Sequence, residues 1–314
     1  MKGDSAVRLA ALGECMIELG SADAPHLLRR GLAGDTFNTA VYLARCLEGT
    51  GHAVDYVTAL GDDPLSDEML AGIGAEGIGT GRVRRIAGRL PGLYWIRLDE
   101  RGERSFLYWR GQSAARAMLE GEGGGRLLDA LDEDGLIYLS GISLAILPDD
   151  DRMRLVERLA ALKAKGRSIA FDPNYRPRLW ASPEAARRAI TAAAAAASIV
   201  LPSFDDETRL FGDATPEAAA SRLEALGVGE VVVKNGDGQG HVRAEGAGHT
   251  VMPIVVAKPV DTTGAGDSFN AAYLAARLRG LGAAEAADAG GRLAARVVMH
   301  KGAIVPKEAM PPLF

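Results

Sequence analysis

Short apolar runs rich in strand-forming residues alternate with longer amphipathic runs along most of this chain. The pattern predicts strands at 54–58, 136–139, 168–171, 199–201 and 231–233, and helices at 64–75, 149–165, 182–197 and 215–226. A strand, a helix and a second strand at this spacing form a right-handed crossover, which makes neighbouring strands parallel. The sequence therefore predicts an α/β fold with a mostly parallel central sheet and helices on both faces. Such sheets bind ligands at the carboxyl ends of their strands.

The segment 36–47 predicts an amphipathic helix near the N-terminus. Its apolar residues recur at i, i+3, i+4, i+7 and i+10, and they are Phe37, Ala40, Val41, Ala44 and Leu47. Asp35 or Thr36 is available as the N-cap. One face of this helix is expected to be buried.

One segment departs from the alternation and predicts a hairpin. Two strand-like runs, 91–99 and 102–110, are joined by a short glycine-containing turn at 99–102. Period-two alternation groups Tyr94, Ile96 and Leu98 on one face of the first strand, and Phe106, Tyr108 and Arg110 on one face of the second. Two interpretations stay open. The aromatic residues form a packed core, or the hairpin is a lid over a polar ligand with Tyr108 and Arg110 pointing inward together.

Charge and composition exclude several classes of protein. The 314 residues include 36 Lys and Arg against 41 Asp and Glu, and the net charge of −5 gives no overall attraction to nucleic acid or to an anionic membrane. Two distant cysteines and five histidines outside ligand spacing favour neither a disulfide framework nor a zinc site. The most apolar run, 189–201, is too short to span a bilayer. We expect a folded, cytoplasmic protein without nucleic-acid or membrane partners.

The stretch 261–269, Asp-Thr-Thr-Gly-Ala-Gly-Asp-Ser-Phe, carries the strongest chemical signal. Gly264 and Gly266 allow the backbone to approach a ligand closely. The helix predicted to follow, up to residue 279, directs unpaired N–H groups and the positive end of its dipole at the same point. The stretch therefore predicts an anion hole, and the carboxylate of Asp267 is placed to accept a proton from an attacking hydroxyl.

Other interpretations of this stretch compete with the anion hole. Asp267 could be an ordinary first-turn helix acid, and the glycines could form a generic turn. A dinucleotide-binding GxGxxG fingerprint would need glycine in place of Phe269 and a position after the first strand. The GxxxxGK[ST] pattern of P-loops does not occur. A nucleotide would therefore be bound by neither of these two common loops.

The stretch 261–269 resembles the C-terminal motif of the ribokinase-like (PfkB) carbohydrate kinases, and residues 33–38, Ala-Gly-Asp-Thr-Phe-Asn, resemble their N-terminal sugar-binding motif. Four further segments resemble the 2-keto-3-deoxygluconate kinase branch of the family, and they are residues 13–19, 90–94, 138–147 and 174–180. The resemblance covers nearly the whole chain, as far as residues 301–304.

This resemblance implies a fold, an activity and a set of site residues. It implies one ribokinase-like domain over 1–314 with a small β lid built from 91–110 and about 14–35, and a homodimer or higher homo-oligomer through that lid. The implied activity is transfer of the γ-phosphoryl group of ATP, with Mg²⁺, to the terminal (6-) hydroxyl of 2-keto-3-deoxygluconate. Asp267 is the implied base, and Gly264, Ala265 and Gly266 are the implied anion hole. The implied substrate-binding residues are Gly34, Asp35, Asn38, Tyr94, Tyr108, Arg110, Ile142 and Arg176. The implied nucleotide-binding residues are Ser203, Lys234, Asn235, Gly236, Gly238, Gly240 and Thr263, with Asp206 near the metal-bound phosphates.

The position of Arg176 indicates a carboxylate-bearing substrate independently of the resemblance. Arg176 follows the strand predicted at 168–171, on a loop stiffened by Pro173 and Pro177. A guanidinium group matches a planar carboxylate, and Arg110 on the hairpin is expected to close from above. A neutral sugar would leave both cations uncompensated, which separates a sugar-acid kinase from a kinase of fructose or ribose. A non-catalytic sugar sensor is the remaining alternative.

Several positions depart from the family pattern. Ala33 stands where many members have the first of two glycines, and Asn270-Ala271 stands where a small residue and glycine often follow. Ser203 replaces an asparagine used near the metal in other branches, and Asn235 replaces a frequent arginine. None of these changes removes a proposed catalytic group.

Overall fold

The computed structural model describes residues 6–21, 27–98 and 104–314, which form two β-sheets and ten α-helices. The strands are β1 (Arg8–Leu12), β2 (Met16–Ser21), β3 (Leu28–Ala33), β4 (Ala53–Leu60), β5 (Val83–Arg85), β6 (Gly92–Leu98), β7 (Arg104–Trp109), β8 (Leu136–Ser140), β9 (Ser168–Asp172), β10 (Ile199–Val200), β11 (Glu230–Val233), β12 (Gly240–Ala244) and β13 (Ala247–Val251). The helices are α1 (Asp35–Cys46), α2 (Pro64–Ala75), α3 (Gly121–Ala130), α4 (Gly141–Ile146), α5 (Asp149–Ala164), α6 (Pro183–Ala196), α7 (Phe204–Phe211), α8 (Pro216–Glu224), α9 (Ala265–Leu278) and α10 (Ala283–Val297). Within these described ranges, none of the helices has the length and apolarity needed to span a membrane.

The larger sheet has the strand order β13-β12-β11-β10-β9-β8-β1-β4-β5. Its neighbours run parallel except at one edge, where β11, β12 and β13 pair antiparallel. Alternate residues of β1 face opposite sides of the sheet. Leu9 and Ala11 pack in a core with α1, α9 and α10, whereas Ala10 and Leu12 pack in a second core with α3, α5 and α6. The prediction of a mostly parallel sheet with helices on both faces is confirmed.

Local capping signals explain why the helices begin where the sequence predicts them. Asp63 accepts hydrogen bonds from the N–H groups of Leu65 and Ser66, at 3.0 and 3.1 Å, and Pro64 is the first residue of α2. Ser182 caps α6 in the same way, again with proline following it. The four helices predicted from the alternation are all present, as α2, α5, α6 and α8, with bounds that differ by at most two residues.

The predicted N-cap of α1 is wrong. Gly34 is the N-cap, and no side chain caps this helix. Asp35 is instead the first helical residue, and its carboxylate accepts a hydrogen bond from Asn174 Nδ2 at 2.7 Å. Thr36 is bonded to the hydroxyl group of Tyr56 at 3.0 Å. Partners elsewhere in the fold therefore take both side chains away from the capping role.

The second sheet has the strand order β3-β2-β6-β7, so the predicted hairpin joins two strands from the N-terminal region. The predicted turn at 99–102 lies outside the described residues. Tyr94 stands opposite Tyr108 and Ile96 opposite Phe106, so these four side chains share one face, as period-two alternation predicts. Tyr94 is buried, whereas Tyr108 is 49% exposed. At this pair the aromatic face is therefore packed on β6 and open on the outer strand β7.

Candidate active site

The candidate site lies at the edge of the large sheet where its parallel strands end and two helices begin. Asp172 is the last residue of β9, and Lys234 directly follows β11. Helix α1 begins at Asp35, and α9 begins at Ala265. The N-terminal and C-terminal motifs of the sequence thus meet at the carboxyl ends of the strands, where α/β sheets bind ligands.

The backbone before α9 has a shape that requires glycine. Gly264 is the N-cap with φ of 78°, and a Cβ atom there would lie 2.6 Å from the carbonyl oxygen of Ala303. The carboxylate of Asp261 holds the preceding loop, because it accepts hydrogen bonds from the N–H groups of Thr263 (2.9 Å) and Gly302 (2.8 Å). The first turn of α9 therefore starts at the sheet edge with its N–H groups and positive dipole end, as an anion site requires.

Asp267 lies in the first turn of α9, and most but not all of its surface is buried. Asn38, 229 residues away in the sequence, donates from Nδ2 to Asp267 Oδ2 at 2.8 Å. Burial raises the pKa of Asp267 to about 8, and the charges of Asp35 and Asp172 act in the same direction. The Asn38 hydrogen bond and the Lys234 charge lower this pKa. A carboxylate with such proton affinity is suited to act as a general base near neutral pH.

A buried polar network lies beside this carboxylate. Lys234 Nζ donates to Asp172 Oδ2 at 2.9 Å and to Asn270 Oδ1 at 2.8 Å. Asn270 Nδ2 in turn donates to Asp172 Oδ2 at 2.6 Å and to the Tyr138 hydroxyl at 3.1 Å. A Cβ atom built on Gly266 would lie 3.7 Å from Lys234 Nζ. The network therefore fixes a cation next to the glycine-rich start of α9.

The loop after β9 is tied to the N-terminal motif. Asn174 has a positive φ of 32°, and its N–H group donates to Asp172 Oδ1 at 3.1 Å. Its side chain donates to Asp35, as described above. Gly34 approaches another segment so closely that a Cβ atom would lie 2.2 Å from the backbone oxygen of Glu14. Glycine is thus required at position 34, and the Asp35 carboxylate is held by the loop that leads to Arg176.

Two acidic residues hold the predicted substrate-binding residues of the hairpin. Tyr94 donates its hydroxyl hydrogen to the carboxylate of Glu18, and burial together with that charge raises the pKa of Tyr94. Arg110 forms an ion pair with Glu14, and its guanidinium group lies 6.0 Å from the centre of the Tyr108 ring. The structure therefore places Tyr94 and Tyr108 on the second sheet and Arg110 just after it, where Glu14, which also borders Gly34, holds the guanidinium group.

Arg176 stands on the loop after β9 with 53% of its side chain exposed. Its Nη1 atom donates to the Tyr175 carbonyl at 3.0 Å and lies 3.4 Å from Asp206 Oδ2. Burial raises the pKa of Asp206, against the opposing effect of the Arg176 charge. Ile142, in the first turn of α4, packs at the margin of the second core. Arg176 and Asp206 are thus neighbours at the site, although the sequence suggested separate partners for them.

The expectation of two uncompensated guanidinium groups is wrong. Arg110 is buried against Glu14, which neutralises its charge. Arg176 has the longer, more exposed contact with Asp206. Because each cation already has a carboxylate partner, the two arginines by themselves do not exclude a neutral sugar. Arg176 is the more available of the two for a substrate carboxylate.

The predicted nucleotide-binding residues lie in turns at the same edge of the sheet. Residues 234–239 form the connection between β11 and β12, where Gly236 has φ of 52° and Asn235 Nδ2 donates to the Gln239 carbonyl at 2.9 Å. Ser203 pairs with Lys234 as an isolated bridge, and the N–H group of Phe204 donates to the Lys234 carbonyl at 2.7 Å. The remaining predicted residues are Gly238 in this connection, Gly240 at the start of β12 and Thr263 before α9. All of them therefore border the carboxyl ends of β10 and β11 or the start of α9.

Sequence reasoning assigned no role to several residues that complete the site. Glu14 and Glu18 were visible as two acids in an otherwise apolar segment, 13–19. Asp172 directly follows the strand predicted at 168–171, where ligand-binding residues are expected. Asn270 and Tyr138 gave no such signal, since each is defined by a partner that is distant in the sequence.

An acidic residue and a lysine thus lie beside the N-terminal end of a helix, at the edge of an α/β sheet where its parallel strands end. The sequence matches the family described as pfkB family carbohydrate kinase over residues 7–310, and the chain therefore belongs to this family of ATP-dependent sugar kinases.

Known proteins resemble the chain over nearly its whole length. A 2-dehydro-3-deoxygluconokinase of Dickeya dadantii (strain 3937) is 44% identical over 306 residues, which are 96% of this chain and 98% of that protein. A crystal structure of a PfkB protein from Polaromonas sp. JS666 is 30% identical with a TM-score of 0.80, and it covers 94% of this chain and 96% of its own. A putative ribokinase II of E. coli, solved in complex with ATP and Mg²⁺, shares the fold with a TM-score of 0.81 at 23% identity, over 98% of this chain and 97% of that one.

Proposed function

We propose that this chain transfers the γ-phosphoryl group of ATP to the 6-hydroxyl of 2-keto-3-deoxygluconate, also called 2-dehydro-3-deoxygluconate. The observation that carries the proposal is Asp267 at the start of α9, bonded to Asn38 and close to Lys234. The 44% identity to a protein named for this substrate supports the choice of sugar acid.

The chemistry rests on positioning and charge, because phosphoryl transfer has a loose transition state with little covalent work for the protein. The 6-hydroxyl oxygen attacks the γ-phosphorus while the bond to the β–γ bridging oxygen breaks, and the hydroxyl proton passes to Asp267. The N–H groups at the start of α9, among Gly264, Ala265 and Gly266, hold the transferring group. The ammonium group of Lys234, next to Gly266, offsets the negative charge.

The nucleotide end of the site fits a magnesium ion held largely by phosphate oxygens and water. Among the described residues no group of three His, Cys, Asp or Glu could hold a metal ion, whereas Asp206 supplies a single partly buried carboxylate near Lys234. Asp206 would contact the ion directly or through water. Mg²⁺ supplies neutralisation of the phosphate charge when it is bound, and the turn 234–239 with Ser203 and Thr263 holds the nucleotide.

The substrate carboxylate is assigned to Arg176, which is exposed and only loosely paired. The second sheet then serves as a lid, and Tyr94 and Tyr108 of this sheet contact the sugar together with Arg110, which follows it directly. The outer strand β7 also carries exposed apolar side chains, because Leu107 is 40% and Trp109 57% exposed. An edge strand with such side chains favours pairing with another chain, so we include a homodimer through this sheet in the proposal.

The test is a set of initial rates, measured by coupled ADP release with ATP and Mg²⁺. The acceptors are 2-keto-3-deoxygluconate, its galactonate epimer, fructose, ribose and adenosine. The expected result is a kcat/KM for the gluconate compound at least about tenfold above that for every neutral acceptor. A higher kcat/KM with fructose or ribose would show that a neutral sugar, and not the sugar acid, is the substrate. The absence of turnover with all five acceptors would favour a sugar sensor.

A further inference from the structure

Glu14 lies in the connection 13–15, through which the chain passes from β1 of the large sheet into β2 of the second sheet. The residue is only 2% exposed. Charged side chains are rarely buried without a partner, so the surroundings of Glu14 must account for its charge.

The carboxylate of Glu14 contacts both ends of the β6–β7 hairpin. One oxygen, Oε1, accepts a hydrogen bond from the Ser113 hydroxyl, and the other, Oε2, forms the ion pair with Arg110. At the other end of the hairpin, a Cβ atom on Gly92 would lie 2.6 Å from Oε1. Glu14 therefore fixes the first residue of β6 and the residues just after β7 at one point.

The main chain of Glu14 contacts the sugar-binding motif as well. Its carbonyl oxygen is the atom that excludes a side chain at Gly34. One residue thus sets the position of Arg110 relative to Gly34, and both are proposed contacts of the sugar. A displacement of this residue would separate the two halves of the substrate site.

Arg110 itself has unused hydrogen-bonding capacity. The residue is 8% exposed, and neither its Nε nor its Nη2 atom makes a hydrogen bond among the residues that the structure describes. Nη2 is held by the ion pair with Glu14 Oε2, whereas Nε has no such contact. Buried donors are nearly always satisfied, by protein, water or ligand. An oxygen atom of the sugar has the chemistry to serve as the partner of this N–H group.

We propose that Glu14 is a positioning residue for substrate recognition, which holds the guanidinium group of Arg110 in place and leaves its Nε–H for a substrate oxygen. This inference rests on the proposed function, since it takes Arg110 as a contact of the sugar. Glu14 itself neither touches the reacting atoms nor moves a proton. Its effect is therefore expected on sugar affinity and not on the chemical step.

The test is a double-mutant cycle of Glu14→Gln, Arg110→Met and the double variant. The loss of a hydrogen bond from a charged group to a ligand typically lowers affinity about tenfold or more. Because Glu14→Gln is expected to displace the Arg110 guanidinium group from the sugar, it should raise KM for the sugar about tenfold. The KM for ATP and kcat are expected to change less than about threefold. In the Arg110→Met background, Glu14→Gln is expected to add less than about twofold, because the group that it positions is gone.

Melting temperatures separate this role from a structural one. Each single variant leaves a buried charge unpaired and should lower Tm, while the double variant should recover much of the loss. If the pair serves only the fold, KM for the sugar will recover along with Tm. The proposal expects KM for the sugar to stay high in the double variant. It would be overturned if that KM recovered, or if the KM increase of the double variant equalled the product of the increases in the two single variants.

A matched control is the buried pair of Asp134 and Arg82, with Nη2 to Oδ1 at 2.9 Å. Asp134 precedes β8, at the edge of the sheet opposite the site. Asp134→Asn is expected to lower Tm without changing KM for the sugar, and a KM increase equal to that of Glu14→Gln would overturn the proposal. The cycle uses whichever sugar the wild type phosphorylates fastest. If that sugar is not 2-keto-3-deoxygluconate, the proposed function is refuted, while the role of Glu14 is still tested.

A further variant keeps the proposal testable if Arg110→Met fails to fold. Ser113→Ala removes only the hydrogen bond to the other oxygen of Glu14. It is expected to raise KM for the sugar about threefold with kcat unchanged. A KM equal to that of the wild type would overturn the positioning role.

Discussion

Replacement of Asp267 by asparagine is the most direct test of the chemistry. The change keeps the size and shape of the side chain, and the asparagine oxygen can still accept the hydrogen bond that Asn38 donates at 2.8 Å. Sugar and ATP should therefore bind with KM values within about threefold of the wild type. The base is lost, and general-base catalysis typically contributes about 10²–10⁴-fold. We expect kcat to fall by that factor, equivalent to about 3–5 kcal/mol of barrier.

The pH dependence of the wild type gives a second magnitude. Burial and the charge of Asp35 raise the pKa of Asp267 to about 8, and the base works only when it is ionised. At saturating ATP, kcat/KM for the sugar is therefore expected to rise with pH, to reach half its maximum near pH 8 and to level off about one pH unit above that. The folded state also binds a proton that an unfolded Asp releases near pH 4. Stability from this group is thus present at low pH and is lost as pH rises through the folded pKa, so Asp267→Asn should have the higher Tm at pH 8–9.

The assay is coupled ADP release with the sugar acid from pH 5 to 9, combined with thermal melts of both proteins over the same range. Wild-type kcat in the asparagine variant would refute the role of Asp267 as base. A wild-type profile of kcat/KM that stays flat from pH 5 to 8 would refute the raised pKa. A loss of activity accompanied by a lower Tm at pH 8 would show damage to the fold in place of a missing base.

Three further predictions address the rest of the site. Arg176→Ala should raise KM for the sugar acid at least about tenfold more than KM for a slowly used neutral sugar; equal effects would mean that Arg176 does not meet a carboxylate. Asn38→Ala removes a hydrogen bond that lowers the pKa of Asp267, so the rising limb of the pH profile should move to higher pH, and an unmoved limb would contradict this assignment. Trp109→Glu places a charge among the exposed apolar side chains of β7 and should shift the protein from dimer to monomer in light scattering; a persistent dimer would locate the interface elsewhere.

Local signals in the sequence were sufficient for most of the parallel strands and for six of the ten helices that the structure describes. The pair Asp63-Pro64 starts α2, and Ser182-Pro183 starts α6, because a capping side chain and a following proline act over three or four residues. The need for glycine at 264 also follows from one local requirement, a left-handed backbone before a helix. Strand β1 in the large sheet and helices α3, α4, α7 and α10, in contrast, were not predicted.

The chemistry of the site depends on contacts that no local pattern encodes. The hydrogen bond between Asn38 and Asp267 joins residues 229 positions apart, and the one between Asn270 and Asp172 joins residues 98 positions apart. The local pattern around Asp35 indicates only a helix cap. Its hydrogen-bond partner, Asn174, lies on the loop after β9 and is 139 positions away in the sequence.

Local patterns in the sequence specify most of the parallel strands and six of the ten described helices, their alternation, and the segments in which we propose the anion site and the base. The tertiary structure alone decided the electrostatics of the site. Strand order places three carboxylates and a lysine at one edge of the sheet, and burial there gives Asp267 its raised pKa. The passage of the chain between the two sheets likewise brings Glu14 against Arg110. Capping and periodicity act between near neighbours, whereas pKa and charge compensation depend on distances in space that only the packed fold sets.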